Sequence, residues 1–87
     1  MKNYIATFFT HYDSLMFFGQ LKEKGVTAKL MPVPRKVSAS CGTGCFYVSD
    51  FRVEISDCEV EAVYVEEAGV FSKVWSSEDS EGYYPGT

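Results

Sequence analysis

A chain of 87 residues with 46% apolar and 16% aromatic side chains is long enough for one small core, too short for two and too apolar for disorder. Its net charge of −4 hides an asymmetry, because residues 1–49 carry six Lys/Arg against two Asp/Glu and residues 50–87 carry two against ten. An acidic chain without a Lys/Arg stripe neutralises phosphates poorly, which argues against nucleic acid as a partner.

Taken in order, Asn3 to Phe9 is rich in strong β formers around Tyr4, Ile5, Phe8 and Phe9, and predicts a central strand buried on both faces. Thr10-His-Tyr-Asp13 has the form of a helix start, with the Thr10 hydroxyl placed to accept from the Asp13 amide and the acid at the positive helix end. A helix of about 14 residues follows, with Tyr12, Leu15, Met16, Phe18 and Leu21 on its apolar face. Lys22 and Lys24 suit the negative end, and Gly25 stops it. Thr27 to Val33 alternates as a second strand, and Pro32, which cannot donate to a ladder, argues that it lies at an edge or ends there.

Beyond a loop, Cys45 to Val48 predicts a short third strand and Asp50 to Asp57 a linker. Asp57 has the form of an N-cap for a second helix running through Ala68, with Val60, Val63 and Tyr64 inward and acids in its first turns. Gly69 ends it, and Val70 to Trp75 predicts a last strand. The order is that of an α+β, ferredoxin-like βαββαβ two-layer sandwich with an antiparallel sheet. Residues 1–76 make the single domain, and 77–87, acidic and marked by Gly and Pro, a flexible C-terminal tail. In this layout the cysteine loop, the start of the first helix with His11, and Gly69 share one end of the sheet.

No apolar run approaches the roughly 18–20 residues of a membrane span, and the first residues lack the apolar stretch of a signal peptide. The expected compartment is the cytoplasm, where thiols stay reduced. Three cysteines, an odd number, fit a disulfide framework poorly.

The chemistry gathers in Pro32-Val-Pro-Arg-Lys-Val-Ser-Ala-Ser-Cys-Gly-Thr-Gly-Cys45. Cys41 is the leading candidate nucleophile: small neighbours leave its thiol approachable, Arg35 and Lys36 offer positive charge, and the Gly42 and Gly44 amides offer a local nest, all of which favour a thiolate. The opposing reading is an inert cysteine in a loop. Cys45 has two readings of equal standing, a resolving thiol across a supple Gly-Thr-Gly bridge or the first buried residue of the third strand. His11 could accept the Cys41 proton or stand idle at the helix start. Cys58 looks like a small apolar residue without a role. Zinc would need more ligands than Cys41, Cys45 and His11 supply, so no metal or cofactor is expected. Gly42-Thr-Gly44 is too short for a dinucleotide or phosphate-loop signature.

Tyr4-Ile-Ala-Thr-Phe8, His11-Tyr-Asp13, Leu21-Lys-Glu-Lys-Gly25 and above all Met31-Pro-Val-Pro-Arg-Lys-Val-Ser-Ala-Ser-Cys-Gly42 resemble the small bacterial proteins named selenium/sulfur carrier protein-like, over residues 4 to 75. Only the last stretch is specific. The resemblance implies a carrier role more than that of a stand-alone enzyme. Cys41 would hold sulfur or selenium as a persulfide or selenenylsulfide, with Arg35, Ser38 and Ser40 in the same loop. It implies two partners, a donor enzyme such as a cysteine desulfurase and an acceptor protein. Gly44-Cys45 and the long stretch from Asp50 to Asp57 depart from the pattern. Two further readings stay open: a ligand-sensing or oligomerising ferredoxin-like module, a homodimer through its sheet edges, and a Cys41/Cys45 dithiol redox protein.

Overall fold

The computed structural model describes residues 1–50 and 58–77. Its elements are strand β1 (Lys2–Thr7), helix α1 (His11–Glu23), and strands β2 (Thr27–Pro32), β3 (Thr43–Ser49), β4 (Ala62–Glu67) and β5 (Val70–Ser76). The strands form one sheet in the order β2-β3-β1-β4-β5, with each neighbouring pair antiparallel. As expected, β1 is central, and Tyr4, Ile5, Ala6 and Thr7 are all buried. The edge position of β2 is also as expected, and Pro32 is its last residue.

The chain follows the ferredoxin-like order as far as β3 and then departs from it. The expected second helix is a correction: Ala62–Glu67 is a strand paired with β1 from Asn3↔Glu66 to Thr7↔Ala62. Two-residue alternation decides the matter. Val63 packs on the helix side of the sheet, while Ala62 and Tyr64 pack on the other, a period no helix can satisfy. β-branched valines favour that outcome. The acids that resembled a helix start lie in and before this strand, and Asp57, with most of the Asp50 to Asp57 linker, falls outside the described residues. Among the described residues the result is an α+β fold with one helix and five antiparallel strands. The tail from residue 78 onward also lies outside the described part.

Gly69 is consequently displaced from its expected place. It occupies the β4–β5 turn with φ 81°, after Ala68 at φ 52°, and that turn lies at the end of β4 away from Ala62. Left-handed backbone at both central positions suits a tight hairpin.

The helix caps are those the sequence announces. Thr10 Oγ1 accepts from the Asp13 amide at 3.2 Å and donates to Asp13 Oδ2 at 2.6 Å. At the other end Gly25, at φ 77°, lets the Val26 amide reach Leu21 O at 3.0 Å and its own amide reach Lys22 O at 3.1 Å, a Schellman closure. The buried face matches the expected one only in part: Leu21 is buried and Phe18 packs against the core. Ser14, Phe17 and Leu21 are buried, whereas Tyr12 is 66% and Leu15 46% exposed. Phe17 sets the rotation, because its ring packs edge-on to Phe8 at 5.2 Å and tilted against Tyr47 at 5.7 Å. Ser14 tolerates that face by donating to His11 O at 2.6 Å.

Two apolar clusters flank the sheet. On the α1 side lie Tyr4, Ala6, Phe8, Phe17, Leu21, Cys45, Tyr47 and Val63. On the opposite side Ile5, Ala62 and Tyr64 are covered by Val37, with Met31, Val33 and Phe71 around them. The connection between β2 and β3, residues 33–42, is thus a strap laid over the face that the helix leaves open.

Candidate functional site

The strap is held at both ends and in its middle. The Val33 amide donates to Gly42 O at 2.9 Å, extending the β2–β3 ladder, and the Val37 amide donates to Pro34 O at 3.0 Å, closing a turn. That turn carries the Val37 side chain down onto Ile5, Ala62 and Tyr64, burying it to 5% exposure. Full burial of a valine contributes about 1.5–3 kcal/mol, enough to hold a short loop against the sheet. Gly44 permits the closeness: a Cβ there would stand 3.0 Å from Ala6 O and 3.2 Å from Val33 Cγ2.

Cys41 lies just before β3, where the strap comes back to the end of β1. Its amide donates to Phe8 O at 3.2 Å, and its side chain is partly exposed and unoxidised. The preceding residue is tied on the other side, with the Ser40 amide donating to Glu61 Oε1 at 2.9 Å and the Ser40 hydroxyl to Glu61 Oε2 at 2.8 Å. Gly42 follows, exposed, and a Cβ there would meet nothing within 4 Å. The site is therefore a fixed backbone bearing an approachable thiol.

Cys45 occupies the place its strand dictates. It pairs with Ala6 and Leu30 in the middle of the sheet, points to the α1 side and is 0% exposed. Burial pushes its thiol up from 9.0 to about 12, opposed in smaller part by a backbone hydrogen bond at Lys29. All three cysteines are free. Of the two readings of Cys45, the geometry matches the buried strand residue. Cys58 is partly buried and packs against the α1-side cluster.

Lys36 reaches away along the strap, its ammonium donating to Gly69 O in the β4–β5 turn at 3.3 Å. Arg35 and Ser38 are exposed on the strap. Gly44 belongs to the ladder, opposite Met31. His11 is the exposed first residue of α1, three residues after the carbonyl that holds Cys41. Among the described residues its ring has no hydrogen-bond partner. No group of three His, Cys, Asp or Glu side chains that could hold a metal ion occurs among the described residues. No described helix is long and apolar enough to cross a membrane.

Glu61 is the site residue that sequence reasoning missed. Within a run of acids read as the first turns of a helix it carries no distinguishing local signal, and only the strand pairing brings it to Ser40. Its backbone is fixed from both sides, with its amide donating to Thr7 O at 2.7 Å and its carbonyl accepting from the Ser77 amide at 3.0 Å. Nearby, the Glu59 amide donates to Asp13 Oδ1 at 3.1 Å, which ties the same segment to the start of α1.

These features define a class: a small α+β protein presenting a partly exposed cysteine on a strap across an antiparallel sheet. The chain belongs to the family described as "Putative Se/S carrier protein-like", whose profile matches residues 3–70, a range that includes the strap, Cys41 and Glu61. No curated protein and no solved structure matches it.

Proposed function

We propose that the protein is a thiol-based carrier of sulfur or selenium, holding the element on Cys41 between a donor enzyme and an acceptor protein. The observation that carries this reading is the contrast in access: Cys41 is partly exposed on a tethered strap, whereas Cys45 is sealed in the core. The family's description supports the same general role. The thiolate is the attacking form. Cys41 Sγ attacks the outer sulfur of a donor persulfide, R–S–SH, so that a new S–S bond forms as the donor's S–S bond breaks and the donor leaves as a thiolate. An acceptor thiolate then attacks the outer sulfur on Cys41, and Cys41 leaves in turn. The sulfane sulfur keeps its oxidation state throughout, so no oxidant or reductant is required. A donor R–S–SeH would leave Cys41 as a selenenylsulfide by the same exchange. A reducing compartment such as the cytoplasm keeps the resting thiol available.

Incubation with a cysteine desulfurase and L-cysteine, followed by mass spectrometry under non-reducing conditions, tests the proposal. One added sulfur on the Cys41 peptide is expected, and an unmodified Cys41 would overturn it. A second reading, an interaction module that pairs through a sheet edge, draws on edge strand β5, where Val70 is 62% and Val74 48% exposed. It predicts a dimer in solution and a Cys41→Ser variant with full cellular function.

A further inference from the structure

The Glu61 carboxylate has the Ser40 amide on one oxygen and the Ser40 hydroxyl on the other, at 2.9 and 2.8 Å. Hydrogen bonds to an ionised acceptor are stronger than neutral ones, and a bidentate pair fixes direction as well as distance. No Lys or Arg forms an ion pair with this carboxylate among the described residues, so its described partners belong to the strap alone. Its own backbone is held by Thr7 and Ser77, which makes the head of β4 a fixed post.

From the opposite flank Phe8 O takes the Cys41 amide at 3.2 Å. Two consecutive amides of the strap, those of Ser40 and Cys41, are therefore committed to residues flanking two different strands, Glu61 just before β4 and Phe8 just after β1. With the backbone pinned this way, the freedom left at the site is that of the Cys41 side chain. Exchange at sulfur needs the attacking, central and leaving sulfurs close to a line, and misplacement by about 1 Å can cost on the order of 10²-fold in rate.

We propose that Glu61 is a positioning residue for Cys41: through Ser40 it sets the direction in which the thiol meets a sulfur donor held on another protein. The inference rests on the carrier reading above. It separates two kinds of reactivity. A small reagent approaches a thiol from any open direction and is indifferent to the latch, whereas a persulfide fixed in a docked donor is not.

The test compares wild type, Glu61→Ala and Glu61→Gln in two assays, sulfur transfer to Cys41 from a cysteine desulfurase supplied with L-cysteine, and alkylation of Cys41 by iodoacetamide. In Glu61→Ala, transfer should slow by between about 10- and 100-fold, while Cys41 alkylation stays close to the wild-type rate. Glu61→Gln, which retains one acceptor oxygen, should fall between. Adding Ser40→Ala to Glu61→Ala should slow transfer no further, because Glu61→Ala already removes both hydrogen bonds to Ser40. Alkylation of buried Cys45 serves as the fold control. Should Glu61→Ala expose Cys45, the Glu61→Gln variant with Cys45 still protected decides. Transfer at the wild-type rate in a folded variant, or alkylation falling in parallel with transfer, would overturn the inference and leave the carrier reading standing. Wild type that takes up no sulfur at all would overturn both.

Discussion

Cys41 and Cys45 are the same residue type four positions apart, yet the fold treats them in opposite ways. Cys45 is inside β3, where the two-residue period of a strand turns its side chain toward α1 and Tyr47. Cys41 precedes the strand, on a segment whose backbone is bonded to Phe8 and, through Ser40, to Glu61, and its side chain keeps contact with solvent. A short spacing between cysteines does not make a dithiol pair. Extended backbone advances about 3.3 Å per residue, so strand residues Thr43 and Gly44 carry Cys45 away from the rim while Cys41 stays on it.

The contrast can be broken most directly by chemistry. In the folded protein Cys41 should be alkylated readily, and Cys45 should react only as the core opens, slower by about 10³-fold or more for a domain of ordinary stability. Peptide-resolved alkylation kinetics measure this. Comparable rates would mean that Cys45 is not sealed.

A steric change sharpens it next. Gly44→Ala drives a Cβ to within 3.0 Å of a backbone oxygen, Ala6 O, and 3.2 Å of Val33, both fixed parts of the β1–β3 and strap packing. A loss of about 1–3 kcal/mol is expected in denaturant unfolding, whereas Gly42→Ala, with open space around it, should leave stability unchanged.

The smallest effect is in alkaline solution. The Cys45 thiol, held near 12 in the fold against 9.0 ordinarily, stays protonated in the native state while the unfolded chain ionises. Stability from this group is fully present below pH 9 and is lost as pH rises toward 12. At pH 10 the loss is on the order of 1 kcal/mol. Cys45→Ala should remove that share of the alkaline decline when the two proteins' unfolding curves are compared at pH 8 and pH 10, and an identical decline in both would contradict the burial argument.

How far the sequence discloses this molecule depends on the range of the interaction involved. Local signals are legible: the Thr10–Asp13 cap, the Gly25 stop and the place of Pro32 at the end of an edge strand all depend on neighbours within a turn. The segment from Val60 to Glu67 misleads, because acids after Asp57 imitate a helix start while the alternation of Ala62, Val63, Tyr64 and Val65 marks a strand that only its pairing with β1 makes secure. The helix face is misjudged in part for a similar reason, since Phe17 is chosen by Phe8 and Tyr47, both outside the helix. Within the site, Cys41 stands out by its glycine and hydroxyl neighbours. Glu61 does not, since its partner is 21 residues away in the chain. Arg35 and Lys36 look like thiol neighbours by spacing, yet the strap carries Lys36 across the sheet to Gly69.

The central claim is that Cys41, and not Cys45, carries the transferred atom. The most direct measurement is site-resolved mass spectrometry of wild type, Cys41→Ser and Cys45→Ala after incubation with a cysteine desulfurase and L-cysteine. One added sulfur is expected on Cys41 in wild type and in Cys45→Ala, and none in Cys41→Ser. Sulfur found on Cys45, or uptake that survives in Cys41→Ser, would contradict it.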